Sequence, residues 1–316
     1  MMNEDRDIIH LQHAINQRLD HPLLHSQDIV LDIKRCDLLH PEVNGNKWYK
    51  LKYNLEQAKS EGHDTILTFG GPYSNHIHAT AAAGKIFGLK TIGIIRGEEP
   101  AQWSDTLRDA RANGMQLEFI TRMAYAEKAT EDFKGWLHEV YGSFHLVPEG
   151  GSNFHGINGC MEILTDEDKE YYDVICCACG TGATMSGITM SLTGDQRVVG
   201  FPVFKDGEFM REEVRRHLEY FLMDKNAADE MMQACDFITR FHFGGYAKWN
   251  DELITFIRQF HDLHKIPLDQ VYTGKLMYGV MRLIEESYWK PQTKVLVIHS
   301  GGLQGRIPEL LRNDLA

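Results

Sequence analysis

The sequence predicts an α/β protein built on parallel sheets, and three observations carry that expectation. Short β-branched or apolar runs recur along the chain and alternate with helical patterns, the order that parallel sheets with crossover helices require. Two helical patterns are regular. Leu253, Phe256, Ile257 and Phe260 fall at i, i+3, i+4 and i+7, and Met277, Val280, Met281 and Ile284 repeat the spacing, so each set lines one helix face as a core stripe. Finally, a strand runs into a glycine-rich turn at three places. The composition agrees: 316 residues, 43% hydrophobic and 25% charged, suit a globular chain of about two domains whose core needs no staples.

From the N-terminus, Met1 to His10 carries Asn3, Glu4, Asp5, Arg6 and Asp7, and lacks the basic start and apolar core of a secretory signal. No stretch approaches the 18 or so apolar residues of a membrane helix, so a cytoplasmic protein is expected. Asn44-Gly45-Asn46 is a turn that opens onto Lys47, Lys50 and Lys52. Strand-like runs follow at 65–69, 91–95, 117–120 and 144–147. Ser74 reads as the N-cap of a helix running toward Gly84. Gly150-Gly151-Ser152-Asn153 is a second turn, and further runs lie at 174–178, 197–201 and 294–298. If both turns are crossings, the middle of the chain forms one unit and its two ends form the other.

Charge and cysteine content narrow the function. Lys+Arg 33 against Asp+Glu 45 gives a net charge of −12 without a long like-charge run, so nucleic acid and anionic membranes are poor partners. Of Cys36, Cys160, Cys176, Cys177, Cys179 and Cys235, three fall in one apolar run, where thiols act as small hydrophobes. Cys176-x-x-Cys179 has no second pair or nearby histidines, so no metal is expected, and packed thiols are favoured over a redox role.

The turns after strands are Phe69-Gly70-Gly71-Pro72-Tyr73-Ser74-Asn75-His76, Cys179-Gly180-Thr181-Gly182-Ala183-Thr184 and His299-Ser300-Gly301-Gly302. In open parallel sheets the ligand crevice lies at the carboxyl ends of strands, where these turns sit. Glycine lets backbone N–H groups approach an anion, and a helix N-terminus adds the positive end of its dipole. The turn at 180–184 lacks the lysine of a nucleotide P-loop. It also has Met185 where a dinucleotide fingerprint needs glycine. It reads either as a tight strand–helix turn or as a cradle for one phosphate monoester. A phosphate cradle with a positioned lysine is what a pyridoxal phosphate enzyme requires; Lys47, Lys50 and Lys52 compete for that role, and each also reads as a solvated helix lysine.

Gly45-Asn46-Lys47-x-x-Lys50-Leu51 followed by Gly70-Gly71-x-x-Ser74-Asn75-His76 resembles the family of D-cysteine desulfhydrase and 1-aminocyclopropane-1-carboxylate deaminase. Gly150-Gly151-Ser152, Gly180-Thr181-Gly182-Ala183-Thr184, Tyr272-Thr273-Gly274-Lys275 and His299-Ser300-Gly301-Gly302 match in the family's order, over about residues 20 to 310. The resemblance implies a tryptophan synthase β-like fold (fold type II), with two open, mainly parallel twisted sheets flanked by helices. It implies a large cofactor-binding domain from 1–50 and 159–316, a small inserted domain at 51–158, a homodimer, and an amino acid substrate.

The cofactor implied is pyridoxal 5'-phosphate, with Lys47 as the Schiff-base lysine and Gly180, Thr181, Gly182, Ala183 and Thr184 on the phosphate. Asn75 would meet the phenolic oxygen, and the helix start at Ser74, Asn75 and His76 would receive the substrate carboxylate. Tyr246, in Phe243-Gly244-Gly245-Tyr246, resembles the tyrosine that lies over the site, and Tyr272 is the other implied catalytic tyrosine; for Tyr246 a packed core role is the plainer alternative.

The family often has Gly-Pro-Gly-Tyr at 243–246, Arg at Tyr49 and, in the deaminases, Gln at His76. In the deaminases Glu and Leu stand where this chain has Thr273 and Ser300, expected at the pyridine nitrogen. A hydroxyl holds a proton on that nitrogen less well than a carboxylate, so the pattern favours β-elimination, with D-cysteine the expected substrate. Alternatives are 1-aminocyclopropane-1-carboxylate deamination, an L-serine or L-threonine dehydratase, a cysteine synthase, or a non-catalytic binding protein.

Overall fold

The computed structural model describes residues 14–311. Strands β1 (Asn16–Arg18) and β2 (Val30–Lys34) come from the N-terminal end. The middle gives β3 (Thr65–Gly70), β4 (Lys90–Arg96), β5 (Gln116–Ile120) and β6 (His145–Val147). The rest gives β7 (Val174–Cys179), β8 (Arg197–Pro202), β9 (Cys235–Phe237) and β10 (Lys294–Ile298). The middle strands form a four-stranded sheet in the order β5-β4-β3-β6, and the two ends of the chain form a six-stranded sheet in the order β1-β2-β10-β7-β8-β9. Every neighbouring pair is parallel except β1 with β2.

The run Val-Ile-Cys-Cys-Ala-Cys shows why the large sheet needs helices on both faces. Val174, Cys176 and Ala178 enter one apolar cluster, while Ile175, Cys177 and Cys179 enter the other. A strand apolar on both sides is the mark of a covered parallel sheet. One cover is made by the two periodic stripes: Leu253, Ile257 and Phe260 on helix Asp251–His264, and Met277, Val280, Met281 and Ile284 on helix Thr273–Glu285, are buried against the sheet. All six cysteines are free and buried, acting as packing groups.

Strands β1, β2 and β9 carried no sequence signal. In β2 the cause is charge: Asp32 and Lys34 interrupt the apolar pattern, yet both are buried and paired. Lys34 Nζ meets Asp168 Oδ2 at 2.6 Å, and Asp32 accepts from Tyr172 Oη at 2.5 Å and pairs with Arg18. The β1 and β9 segments are three residues each, too short to show a period. Helix Asn46–Ser60 runs unbroken through the expected division at 50/51.

Parallel strands place all their carboxyl ends at one edge of a sheet. The ends of β3, β4 and β6 from the small sheet face those of β7, β8 and β10 from the large one across a single cavity.

Candidate active site

The cavity measures about 280 Å³ and is lined on one side by Gly180, Thr181, Gly182 and Thr184 and on the other by Ser74, Asn75, His76 and Arg96. Lys47, Lys50, Tyr246, Tyr272 and Ser300 complete the lining. Sequence positions spread over more than two hundred residues therefore meet, and they are largely the ones the motifs singled out.

The lysines are carried by helix Asn46–Ser60. Its start is fixed by Gly45, at φ +61°, where a Cβ would fall 1.9 Å from Ser300 O. That close approach joins the Gly-Asn-Lys turn to the turn after β10. Lys47 Nζ donates to Asn46 Oδ1 at 2.9 Å, and Asn46 Nδ2 donates to Thr184 Oγ1 at 2.8 Å. Burial, and then the neighbouring Lys50 charge, lower the Lys47 amine from its usual range to about 7. Lys50, also lowered by burial, donates to Gly150 O at 3.1 Å and lies 3.4 Å from Thr181 Oγ1. Of the three competing lysines, Lys52 points away and pairs with Glu162.

At the end of β7, Gly182 has φ +79° and opens helix Ala183–Ser191. A Cβ there would lie 3.2 Å from both Met210 Sδ and Val214 Cγ2. Ala183 is fully buried, and of the residues 180–184 it is the one that does not line the cavity. Behind the loop His217, which no motif marked, bridges Ser152 Oγ (3.1 Å) and Ser186 Oγ (3.3 Å). Burial lowers its pKa to about 4, so it is neutral at pH 7.

Opposite, Ser74 caps helix Asn75–Phe87 by accepting from Ile77 N at 3.3 Å. Asn75 Oδ1 accepts from Gln304 Nε2 at 2.6 Å, which leaves the Nδ2 donor for a ligand. Gln304 was not foreseen; it lies past the glycine turn, in a stretch with no pattern of its own. His76 turns its ring inward to Thr68 Oγ1 at 2.9 Å. Arg96, at the end of β4, also escaped the sequence reading because a cation closing a strand has no local signature.

Tyr246 stacks on Phe204, with centroids 5.6 Å apart, and meets Tyr272 edge-on at 6.2 Å. Burial and then Tyr246 raise the Tyr272 phenol well above its usual value. The loop of Tyr246 is tied down by Lys275, whose Nζ donates to His242 O and Gly245 O at 2.8 Å each.

Thr273 requires a correction. It was expected at the cofactor ring, yet it is buried, does not line the cavity, and its hydroxyl donates to Asp269 Oδ1 at 2.6 Å while accepting from Asp269 N at 2.8 Å. The Asp269 carboxylate also takes the amides of Val271, Tyr272 and Thr273, so the pair forms the cap of helix Thr273–Glu285. A buried hydroxyl must be hydrogen-bonded, and the cap satisfies it. Of the two expected hydroxyls, Ser300 alone lines the cavity.

The residues present fit a cofactor with a phosphate at one end and an aldehyde at the other. The donor loop at a helix start, with Lys50 beside it, suits a phosphate. A low-pKa lysine across from it suits the aldehyde.

Comparison with known proteins gives the same picture. Residues 20–301 match the family described as pyridoxal-phosphate dependent enzyme. A putative 1-aminocyclopropane-1-carboxylate deaminase of Pyrococcus horikoshii is 32% identical over 86% of this chain and 84% of its own. A mitochondrial bifunctional D-cysteine desulfhydrase/1-aminocyclopropane-1-carboxylate deaminase of Arabidopsis thaliana is 29% identical over 86% of this chain and 72% of its own. Among solved structures, an ACC deaminase homologue superposes with a TM-score of 0.77 at 28% identity, covering 96% of this chain and 92% of that one.

Proposed function

The chain belongs to the pyridoxal-phosphate-dependent enzyme family, in its 1-aminocyclopropane-1-carboxylate deaminase/D-cysteine desulfhydrase group, and on that premise we propose that it eliminates the β-substituent of an amino acid. D-Cysteine is the leading substrate: with one water it gives pyruvate, ammonia and hydrogen sulfide.

Pyridoxal phosphate, when bound, supplies a conjugated ring that takes up the electron pair left at the substrate Cα. Lys47 would hold the cofactor through Nζ, and its amine is the group that would take the Cα proton; an amine lowered to about 7 is half deprotonated near neutral pH. Gly180, Thr181, Gly182, Ala183 and Thr184, with Lys50, would receive the phosphate. Asn75 would donate Nδ2 to the phenolic oxygen. The backbone start of helix Asn75–Phe87 and the Ser74 hydroxyl receive the substrate carboxylate. Tyr272 and Tyr246 would stand beside the substrate, where both rings line the cavity.

The observation that carries elimination is the lining itself. Ser300 lines the cavity and would offer a neutral hydroxyl to the pyridine nitrogen, and the nearby carboxylate of Asp269 is taken up in the helix cap. A weaker electron sink suffices when sulfide leaves from Cβ. The names of the relatives favour a second reading, opening of 1-aminocyclopropane-1-carboxylate to an oxo acid. A screen for 2-oxo acid release from D-cysteine, 3-chloro-D-alanine, L-serine and the cyclopropane amino acid decides. Elimination predicts product from the first two, and product from the cyclopropane alone would reverse the reading. In this proposal the small sheet, with 51–158, is an inserted domain and the protein is a homodimer, which sedimentation would test.

A further inference from the structure

Arg96 is a cation in the cavity lining whose donors the fold leaves for a ligand. It ends β4, and the parallel register of Gly70 with Ile95 sets it beside Gly71. A Cβ on Gly71 would lie 3.6 Å from Arg96 Nη2, so the guanidinium borders the turn that begins there. Ser74 N closes that turn by donating to Gly71 O at 3.0 Å, and the chain passes directly into helix Asn75–Phe87. The guanidinium lies over the buried Tyr125 ring, 5.7 Å from its centroid, a contact that orients it without consuming an N–H donor. Among the described residues no carboxylate pairs with it. Glu149, the acidic residue of the lining, is held instead by Lys128 at 3.4 Å.

The charges of the cavity can be matched group by group. Lys50, 3.4 Å from Thr181 Oγ1, stands with the phosphate loop on the opposite wall. The helix start at Ser74 and Asn75 suits the substrate carboxylate. Arg96 is then a cation without an anion, beside that same helix start. In an amino acid the β-substituent lies three bonds from the carboxylate carbon, a reach of about 4 Å. A substrate seated on the helix start can therefore turn its β-substituent to the guanidinium. An anion there gains charge-assisted hydrogen bonds that a neutral group does not. A thiol qualifies, because a neighbouring cation favours its thiolate.

We propose that Arg96 is the specificity-determining residue for the β-substituent, and that the site takes amino acids whose β-substituent is an anion, such as a thiolate or a sulfonate, ahead of neutral ones. This rests on the reading of the helix start as the seat of the substrate carboxylate and of the reaction as elimination.

Two measurements on the holoenzyme test it. D-Aspartate and D-asparagine are close in size and differ by one charge at the β-substituent, and their binding is read from the change in cofactor absorbance, without turnover. With the enantiomeric pair run alongside, aspartate should bind about tenfold more tightly than asparagine, the worth of a charge-assisted hydrogen bond. Arg96→Met should level the two, Arg96→Lys should keep part of the preference, and added salt should narrow it because the guanidinium is exposed. The second measurement is 2-oxo acid release. In Arg96→Met the ratio of kcat/KM for D-cysteine to that for 3-chloro-D-alanine, whose substituent is neutral, should fall about tenfold. Equal binding of aspartate and asparagine by the unmodified protein, or a preference that survives in Arg96→Met, overturns the proposal. So does an unchanged ratio with both substrates weakened together, which would make Arg96 a ligand of the α-carboxylate. No 2-oxo acid from either substrate would overturn the elimination reading instead, and the absorbance titration still decides the role of Arg96.

Discussion

The two walls of the cavity differ in how far their polar groups are already satisfied. On the large-sheet wall, Thr184 accepts from Asn46, Lys50 donates to Gly150 O near Thr181, and a Cβ on Gly182 would press on Met210 and Val214. The small-sheet wall is open: among the described residues Asn75 Nδ2 and His76 Nδ1 have no hydrogen-bond partner, and the exposed Arg96 guanidinium lies over the Tyr125 ring, 5.7 Å from its centroid, without an ion pair. One wall is built before a ligand comes, and the other is finished by it. Preorganised donors suit an invariant group such as a phosphate. Unpaired groups suit the part of the ligand that decides specificity, because a wrong partner leaves them unsatisfied.

Lys47 stands between the walls, and removing it should break both. Lys47→Ala should lower turnover by about 10³-fold or more, read as 2-oxo acid release from saturated enzyme, with the fold kept by circular dichroism. A change confined to the built wall comes next. Gly182→Ala forces a side chain onto a positive-φ position already tight against Met210, and should weaken cofactor affinity about 10–100-fold through misaligned backbone donors, measured by absorbance titration. The open wall should answer differently. Arg96→Met should leave cofactor affinity unchanged while raising KM by about tenfold, the worth of a lost charge-assisted hydrogen bond. Equal loss of cofactor affinity in both variants would erase the distinction.

The smallest effect tests what supports the built wall. His217 has its folded-state pKa depressed from 6.5 to about 4, so between those values the unfolded chain binds more protons than the folded one. Stability should therefore fall as pH drops from about 6.5 toward 4. His217→Gln should flatten that decline, visible as a smaller loss of Tm across the same window.

The contrast also explains what the sequence revealed. The built wall is legible because backbone donors demand glycine, and Gly180-Thr181-Gly182 after an all-apolar strand can be read locally. Lys47, Ser74 and Asn75 were found through ordered motifs. Arg96, Gln304 and His217 were not, since each reaches the site from an element with no pattern beyond its own periodicity, and only the parallel ordering of strands brings them in. Thr273 shows the opposite error. Its place in the motif pointed to the cofactor, but Asp269, four residues earlier, binds the hydroxyl first and closes a helix cap. Likewise β2 was hidden because Asp32 and Lys34 look like surface charges until Tyr172 and Asp168 are seen to pair with them.

The most direct measurement is borohydride reduction of the protein with its cofactor, followed by peptide mapping of the labelled lysine. The structure puts a low-pKa amine at Lys47 in the same cavity as the 180–184 loop, so the label should fall on the peptide containing Lys47 and on no other. A label on Lys50 or Lys52, or none, would contradict the account.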